Sequence, residues 1–423
     1  MIQNYLKKAV VISSTRFIAL SLATVDMVML GHTSLSEVQE YTVASQTAQV
    51  LVILAVVLSI GVNIIVGKNK HCIKRVGQEV IGYSLLVGLV LSMFGICLGL
   101  FIDSFIGFNQ SYDILCLSIL PLTVYIGLAN ILESSGLERA VLSITIASSV
   151  FNALFNLIAI SLLDNAAIAV ALSTLLVRFG ALIPIVVLGR KHNLISFPVV
   201  SITRCRELFC FGRSEAFTSL FFTGGIAALV IFFNHNYDQE TVAVLGFSLN
   251  FMNTFSVLYV GLMISLSICL SQIEPQHHSD YPFMRTTLTY IIFTATVLLS
   301  AVDIIAQVYT PSVKAVFVDA LVLSVVVIMA DGVALALIAW LRVRGFTQLP
   351  PLFRLAMIMI GLPCSFIFSV NENATVNVIA FMAIGTIIAA FLTISYFCWR
   401  VYQAPLVHSA SLSESSLVIK RPQ

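Results

Sequence analysis

The chain has 423 residues, of which 59% are hydrophobic and 10% are charged, and its formal net charge is +2. A soluble domain carries about 25% charged residues, so this composition excludes a soluble globular protein and indicates a polytopic membrane protein. The basic residues lie in loops between apolar runs, so the small positive charge does not indicate nucleic-acid binding.

Apolar runs of about 20 residues, separated by polar breaks, predict twelve membrane-spanning helices. The expected fold class is therefore an all-α polytopic membrane protein. In chain order the predicted spans lie near 8–31, 42–67, 76–102, 112–135, 140–163, 165–188, 208–233, 241–271, 284–308, 314–340, 350–371 and 374–399.

The loop charges predict the orientation. Lys and Arg collect in the loops on one side, as at Arg190 and Lys191, whereas the opposite loops carry acids such as Glu37 and Asp164. By the positive-inside rule both termini are cytoplasmic. We expect a multi-pass protein of the cell membrane, in bacteria the inner membrane.

The chain also looks duplicated. Residues 53–70 align with 257–274, and the loop at Gly136 aligns with the loop at Gly345, in both cases at an offset of about half the length. Six spans per half would make the halves parallel repeats, an architecture of secondary transporters. The predicted organisation is a six-helix lobe at 1–188, a cytoplasmic linker at 189–206, a second six-helix lobe at 207–400 and a cytoplasmic tail at 401–423.

One carboxylate, Asp26, lies inside the first apolar run. A charge at membrane depth costs at least ~2.5–3.5 kcal/mol, so it indicates a functional site, unless the acid lies at a helix end and reaches water. Asn152 and Asn156 are four residues apart and share a helix face. With Thr174 of the sixth span they offer oxygen ligands suited to Na⁺. The alternative is that both Asn residues only bond neighbouring helices.

Two arginines fall within predicted spans. Arg16 is close enough to the cytoplasmic interface to extend its side chain to water. Arg178 is deeper, and we expect a structural ion pair with an acid such as Glu215 or Glu79. It could instead face a water-filled cavity or attract an anionic substrate group.

A second membrane-depth acid, Asp331, lies in the other half of the chain. Glu133, Glu138 and Arg139 are predicted to form a solvated loop cluster without a special role. The histidines show no metal-ligand spacing, and the eight cysteines contain no CxxC pair, so no transition-metal site or disulfide framework is expected.

Several segments resemble the multidrug and toxic compound extrusion (MATE) family, in the family's order. They are TVDMVMLGH in the first span, GLERAVLSITIASSVFNALFNLIAI leading into the fifth, AVALSTLL in the sixth, ELFCFGRSEAFTSLFF in the seventh and DGVALALIAWLRVRG in the tenth. The resemblance implies two six-helix lobes that form a V around a central cavity, with alternating access driven by Na⁺ or H⁺.

By the family pattern, a coupling-cation site in the first lobe would be formed by Asp26, Asn152, Asn156 and Thr174. Asp331 would match the acid of the second lobe, as a proton or substrate site. The chain departs from some members, which carry an acid in the seventh span where Phe222 or Thr223 stands here. The first-lobe site is therefore the better supported.

We thus expect a secondary active efflux transporter that exports amphipathic small molecules by antiport with Na⁺ or H⁺. It would act as a monomer in the lipid bilayer, without a cofactor or nucleic acid. Neither HExxH nor GxSxG occurs, so an intramembrane enzyme is not expected. The alternative is a lipid-linked saccharide flippase. Such a protein would need a lateral groove and a strongly cationic cavity, and Arg16 and Arg178 would contribute positive charge to that cavity.

Overall fold

The computed structural model is helical, with no strand in the residues that it describes. These are 2–59, 61–68, 72–106, 110–270, 277–309, 314–344, 346, 352–355, 357–361, 363–364, 367 and 374–417. In this part of the chain, eleven helices are long and apolar enough to cross a membrane. The predicted span at 350–371 is described only in short separate segments and is not among these eleven helices. The protein is therefore a multi-pass membrane protein with the expected all-α fold.

The helices follow the predicted spans closely. The first half contains α1 (Ile2–Gly31), α2 (Leu35–Leu58), α3 (Gly61–Lys68), α4 (Ile73–Ile106), α5 (Gln110–Leu117), α6 (Ile119–Ser134), α7 (Glu138–Leu162) and α8 (Ala166–Lys191). The second half contains α9 (Ile202–Asn236), α10 (Gln239–Leu270), α11 (His277–Ser300), α12 (Val302–Tyr309), α13 (Lys314–Val343), a π-helical turn (Met357–Gly361) and α14 (Ala374–Leu417). Residues 192–201 join α8 to α9, so the connection is shorter than the predicted linker at 189–206, because α8 continues to Lys191 and α9 already begins at Ile202. The lobe boundaries stay a prediction.

Three predicted spans are interrupted rather than continuous. The second breaks after Leu58, where Ser59 Oγ donates to the Ala55 carbonyl at 2.9 Å. The fourth breaks at Ser118, whose Oγ donates to the Leu115 carbonyl at 2.6 Å. Such serine bonds compete with the regular helix pattern. The ninth breaks at residue 301, between α11 and α12. Hydropathy is insensitive to these breaks because the flanking residues remain apolar.

The two halves contact each other through two symmetrically arranged pairs of helices. The first helix of the first half, α1, packs on α10, the second helix of the second half, while α2 packs on α9. Ser13 Oγ donates to the Leu258 carbonyl at 3.0 Å on the α1–α10 seam, and Gln39 donates to Asn234 at 2.8 Å on the α2–α9 seam. A two-fold pseudo-repeat produces this arrangement, because each seam is the image of the other.

A glycine allows close backbone approach at each seam. A Cβ atom at Gly261 would lie 2.8 Å from the Ser13 backbone nitrogen on the α1–α10 seam. A Cβ at Gly212 would lie 2.8 Å from the Val57 carbonyl oxygen on the α2–α9 seam. Both distances are shorter than normal contacts, so a larger residue at either position would push the helices apart.

The outward faces of the helices are apolar. Leu162, Ile183 and Phe391 have 76%, 68% and 67% of their surface exposed. In water so many exposed large apolar side chains would favour aggregation, but they match a surface that faces lipid.

Gly261→Ala should destabilise the protein by about 1–3 kcal/mol, because the methyl group overpacks against the backbone of α1. Gly180→Ala is the matched control, since a Cβ there meets no atom within 4 Å and the change favours the helix. Thermal unfolding in detergent measures both variants. Equal midpoints for the two would show that the α1–α10 seam is not tightly packed.

Candidate functional site

A cavity of about 1500 Å³ lies between the two halves of the protein. Its wall includes Asp26 and Tyr41 from the first half and Asn253 and Asp331 from the second. It extends to the turn at 134–136 and to residues 342–344, on the side of the basic loops. Among the described residues, none of the connections at 32–34, 163–165 and 237–238 contributes to the wall. As far as the described connections show, the cavity therefore reaches the end of the helices that carries the basic loops.

The carboxylate of Asp26 is 1% exposed and accepts four hydrogen bonds. Asn152 and Asn156 donate to Oδ1 through their side-chain nitrogens at 2.8 and 2.6 Å. The hydroxyls of Tyr41 and Thr174 donate to Oδ2 at 3.0 and 3.1 Å. The donors come from α2, α7 and α8, so this one side chain on α1 joins four helices. Buried charge requires such hydrogen bonding.

The side-chain oxygens of Asn152 and Asn156 are buried and make no hydrogen bond. An unsatisfied buried acceptor costs about 1–3 kcal/mol, so two of them beside one carboxylate need an explanation. A rotation of each amide would bring its oxygen to the Asp26 side and leave the rest of the site unchanged. Carboxylate, amide and hydroxyl oxygens together are a donor set that fits a hard cation.

The structure brings Asp26, Asn152, Asn156 and Thr174 into one site, as the sequence pattern suggests; their role as cation ligands stays a prediction. Sequence reasoning missed Tyr41. A usable signal was present, because α1 and α2 are antiparallel and joined by a short connection, which puts Tyr41 and Asp26 at similar depth. Within the described residues, no cluster of three or more His, Cys, Asp or Glu side chains could hold a metal ion.

A second polar site in the cavity wall corrects two predictions. Arg16 does not reach for the interface: its Nη2 donates to Glu133 Oε2 at 2.6 Å and to Asn130 Oδ1 at 3.0 Å. Glu133 does not belong to a solvated loop cluster, since its side chain is 3% exposed and that of Arg16 is 16% exposed. The reason is that α6 continues to Ser134, so Glu133 is still on a helix and faces inward.

Arg178 also lines the cavity, and its Nη1 donates to Ser118 Oγ at 2.5 Å. The suggested pair with Glu79 is wrong, because Glu79 bonds Arg204 at 2.9 Å. A pair with Glu215 is not tested, since the side chain of Glu215 lies outside the described residues. Ser118, which interrupts the fourth span, therefore also accepts a hydrogen bond from Arg178 at membrane depth.

Asp331, the acid of the second half, is held by Arg354. The guanidinium donates through Nε to Oδ1 at 3.1 Å and through Nη2 to Oδ2 at 3.2 Å. Both side chains line the cavity. In the sequence, Arg354 is one of many basic residues on the cytoplasmic side. Nothing in the sequence pattern pairs it with Asp331, and the contact between the two side chains is shown by the structure.

Comparison with known proteins agrees with this architecture. The family model described as MatE matches residues 12–158, which include Asp26 and both Asn residues. A multidrug resistance MATE family transporter of the MOP superfamily, solved in an inward-facing conformation, superposes with a TM-score of 0.76 at 13% identity, over 93% of this chain and 98% of that chain. The chain has the MATE transporter fold. The resemblance found in the motifs is thereby confirmed.

Two further structures share the MATE fold with this chain. The eukaryotic MATE transporter AtDTX14 has a TM-score of 0.75 at 14% identity, over 95% of this chain and 98% of that one. A MATE family transporter in an outward-facing conformation has a TM-score of 0.68 at 15% identity, over 94% and 96% of the two chains. No curated protein matches this sequence at a significant level.

Arg16→Ala should destabilise the protein by about 3 kcal/mol, because it leaves the buried Glu133 carboxylate without its partner. The double variant Arg16→Ala/Glu133→Gln should recover most of the loss, since no uncompensated charge remains. Arg139→Ala, at an exposed position, is the control and should stay within about 0.5 kcal/mol of the parent. Thermal unfolding in detergent provides the measurement, and an Arg16→Ala midpoint equal to the control would contradict a structural role for the pair.

Proposed function

We propose that this protein is a secondary active transporter that exports amphipathic small molecules by antiport with Na⁺ or H⁺. The observation that carries the proposal is the state of Asp26. Its carboxylate is buried in the cavity wall and is bonded only by neutral donors, with no Lys, Arg or His within ion-pair distance among the described residues. Such a charge is available for neutralisation by a mobile cation.

Neutralisation changes the balance between two packings of the first half. With Asp26 ionised, the four donors point at its oxygens and hold α1, α2, α7 and α8 together. A proton or Na⁺ at the carboxylate removes its desolvation cost and its demand for those donors. The cation then shifts the conformational equilibrium by as much as its affinity differs between the two states.

The conformation described here fits the loading step of export. The cavity reaches the side of the basic loops, which the positive-inside rule assigns to the cytoplasm. In support, the TM-score is 0.76 to the inward-facing MATE structure and 0.68 to the outward-facing one. Substrate would enter this cavity from the cytoplasm and leave on the opposite side after the lobes rearrange.

The cavity wall favours amphipathic cargo. Its apolar part includes Tyr125, Phe211, Phe222 and Met252. Among the described residues it also has five arginines and five carboxylates, which balance in formal charge: Arg16, Arg178, Arg342, Arg344, Arg354, Asp26, Glu133, Glu138, Glu207 and Asp331. A flippase for an anionic lipid-linked sugar would need a strongly cationic cavity, so this balance favours the export of small molecules.

Asp26→Asn should reduce gradient-driven export at least tenfold while the protein still folds, because the amide is isosteric but has no charge to neutralise. The measurement is efflux of a fluorescent amphipathic cation from proteoliposomes under an imposed Na⁺ or pH gradient. Asp164→Asn, at an exposed loop acid, is the matched control and should export at the parental rate.

The same vesicles separate the two coupling ions. A Na⁺ gradient at equal pH and a pH gradient in Na⁺-free buffer are applied in turn, and only the coupling ion should drive export. If Asp26→Asn exported the probe at the parental rate under the gradient that drives the parent protein, the proposal would be wrong.

A further inference from the structure

The two membrane-depth acids of the cavity wall are compensated in different ways. Asp26 is bonded by two amides and two hydroxyls, all neutral. Asp331 is bonded by the guanidinium of Arg354, which carries a full positive charge. One acid is therefore hydrogen bonded only by neutral groups, and the other is hydrogen bonded by a counter-ion that the chain itself supplies.

The Asp331–Arg354 pair has the geometry of a strong ion pair. Nε and Nη2 of the guanidinium lie 3.1 and 3.2 Å from the two carboxylate oxygens, which is the two-pronged arrangement that arginine favours. The side chain of Asp331 is 15% exposed and that of Arg354 is 23% exposed. Both belong to the cavity wall, so water and dissolved ions can reach the pair.

We propose that Arg354 is a tethered counter-cation that prevents the second lobe from binding a coupling ion. This inference rests on the proposed function, because it assigns ion coupling to Asp26 alone. One ion, bound in the first lobe, is then exchanged in each transport cycle. The acid of the second lobe keeps the same charge state throughout the cycle as long as Arg354 stays bonded to it.

The physical basis is competition between a tethered and a free cation. A group fixed to the same chain acts at an effective concentration in the millimolar range or above without any loss of translational freedom. A free proton or Na⁺ must displace that group and still meet a carboxylate whose charge is already balanced. At Asp26 the same free ion displaces no charged group, because the four donors are neutral.

Removal of Arg354 should therefore create an ion site that the parent lacks. The Arg354→Gln side chain still reaches Asp331 with an amide but brings no charge. The carboxylate then resembles Asp26, bonded by neutral groups and facing a water-accessible cavity. Arg354→Lys keeps the positive charge and should create no such site.

Ion binding can be measured without transport, in purified protein that carries Asp26→Asn to remove the first-lobe site. The probes are radioactive Na⁺ at fixed pH and, in separate samples, proton uptake followed with a pH-indicator dye. We expect no saturable Na⁺ binding by Asp26→Asn, and its proton uptake, which comes from the remaining acids and histidines, is the baseline for the other variants. We expect one new site in Asp26→Asn/Arg354→Gln, and its loss when Asp331→Asn is added. Asp26→Asn/Arg342→Gln is the control for removing a cavity arginine.

Each result of the binding measurement either supports or overturns the inference that Arg354 prevents ion binding in the second lobe. A new site that disappears with Asp331→Asn supports the inference. No new site in folded Asp26→Asn/Arg354→Gln, or a site that survives Asp331→Asn, overturns it. Because Asp26 is absent from these proteins, the outcome does not depend on whether Asp26 couples transport.

A transport measurement tests the same inference in the protein with Asp26 intact. Arg354→Gln should double the number of ions exchanged per substrate, whereas Asp331→Asn and Arg354→Lys should leave it unchanged. Size-exclusion chromatography and thermal unfolding report folding. If Arg354→Gln does not fold, the other two variants still decide, because a loss of ion coupling in Asp331→Asn would place coupling in the second lobe and overturn the inference.

Discussion

The need to stabilise one buried carboxylate organises the first half of this protein. Asp26 is 1% exposed, and every donor that makes its burial possible comes from a different position on α2, α7 or α8. The helix that carries it, α1, also packs on α10 of the other half, where Thr24 and Thr254 are hydrogen bonded at 2.7 Å. A change in the charge of Asp26 therefore acts directly on α1, a helix that packs at the interface between the halves.

Arg16 and Asp331, two other charges of the cavity wall, meet the same cost of desolvation with opposite charges. Arg16 is neutralised by Glu133 and Asp331 by Arg354, and each pair combines its Coulomb attraction with directed hydrogen bonds. These pairs place polar groups at membrane depth without a net field. Their hydrogen-bonding groups therefore face the cavity, and neither pair adds a net charge to its wall.

Much of this arrangement follows from the sequence by local rules. The spacing of Asn152 and Asn156 by four residues fixes their common face, and the cost of an acid in lipid singles out Asp26. Contacts between distant segments do not follow from local rules. Glu133 looked solvated because it ends an apolar run, and Arg354 looked like an ordinary loop charge. Their partners lie on other helices, and a pattern of hydropathy has no information on which faces of two helices meet.

The two glycine contacts between the halves have a mechanical consequence. Gly261 lies against Ser13 on the α1–α10 seam, and Gly212 lies against Val57 on the α2–α9 seam. Because each contact joins a helix of the first half to a helix of the second, a movement of one half relative to the other changes both contacts. At these two points the backbones approach each other closely, whereas side chains bridge the same seams elsewhere, as Gln39 and Asn234 do. Both close contacts therefore resist the same movement of the halves, and they do so independently of any bound ion.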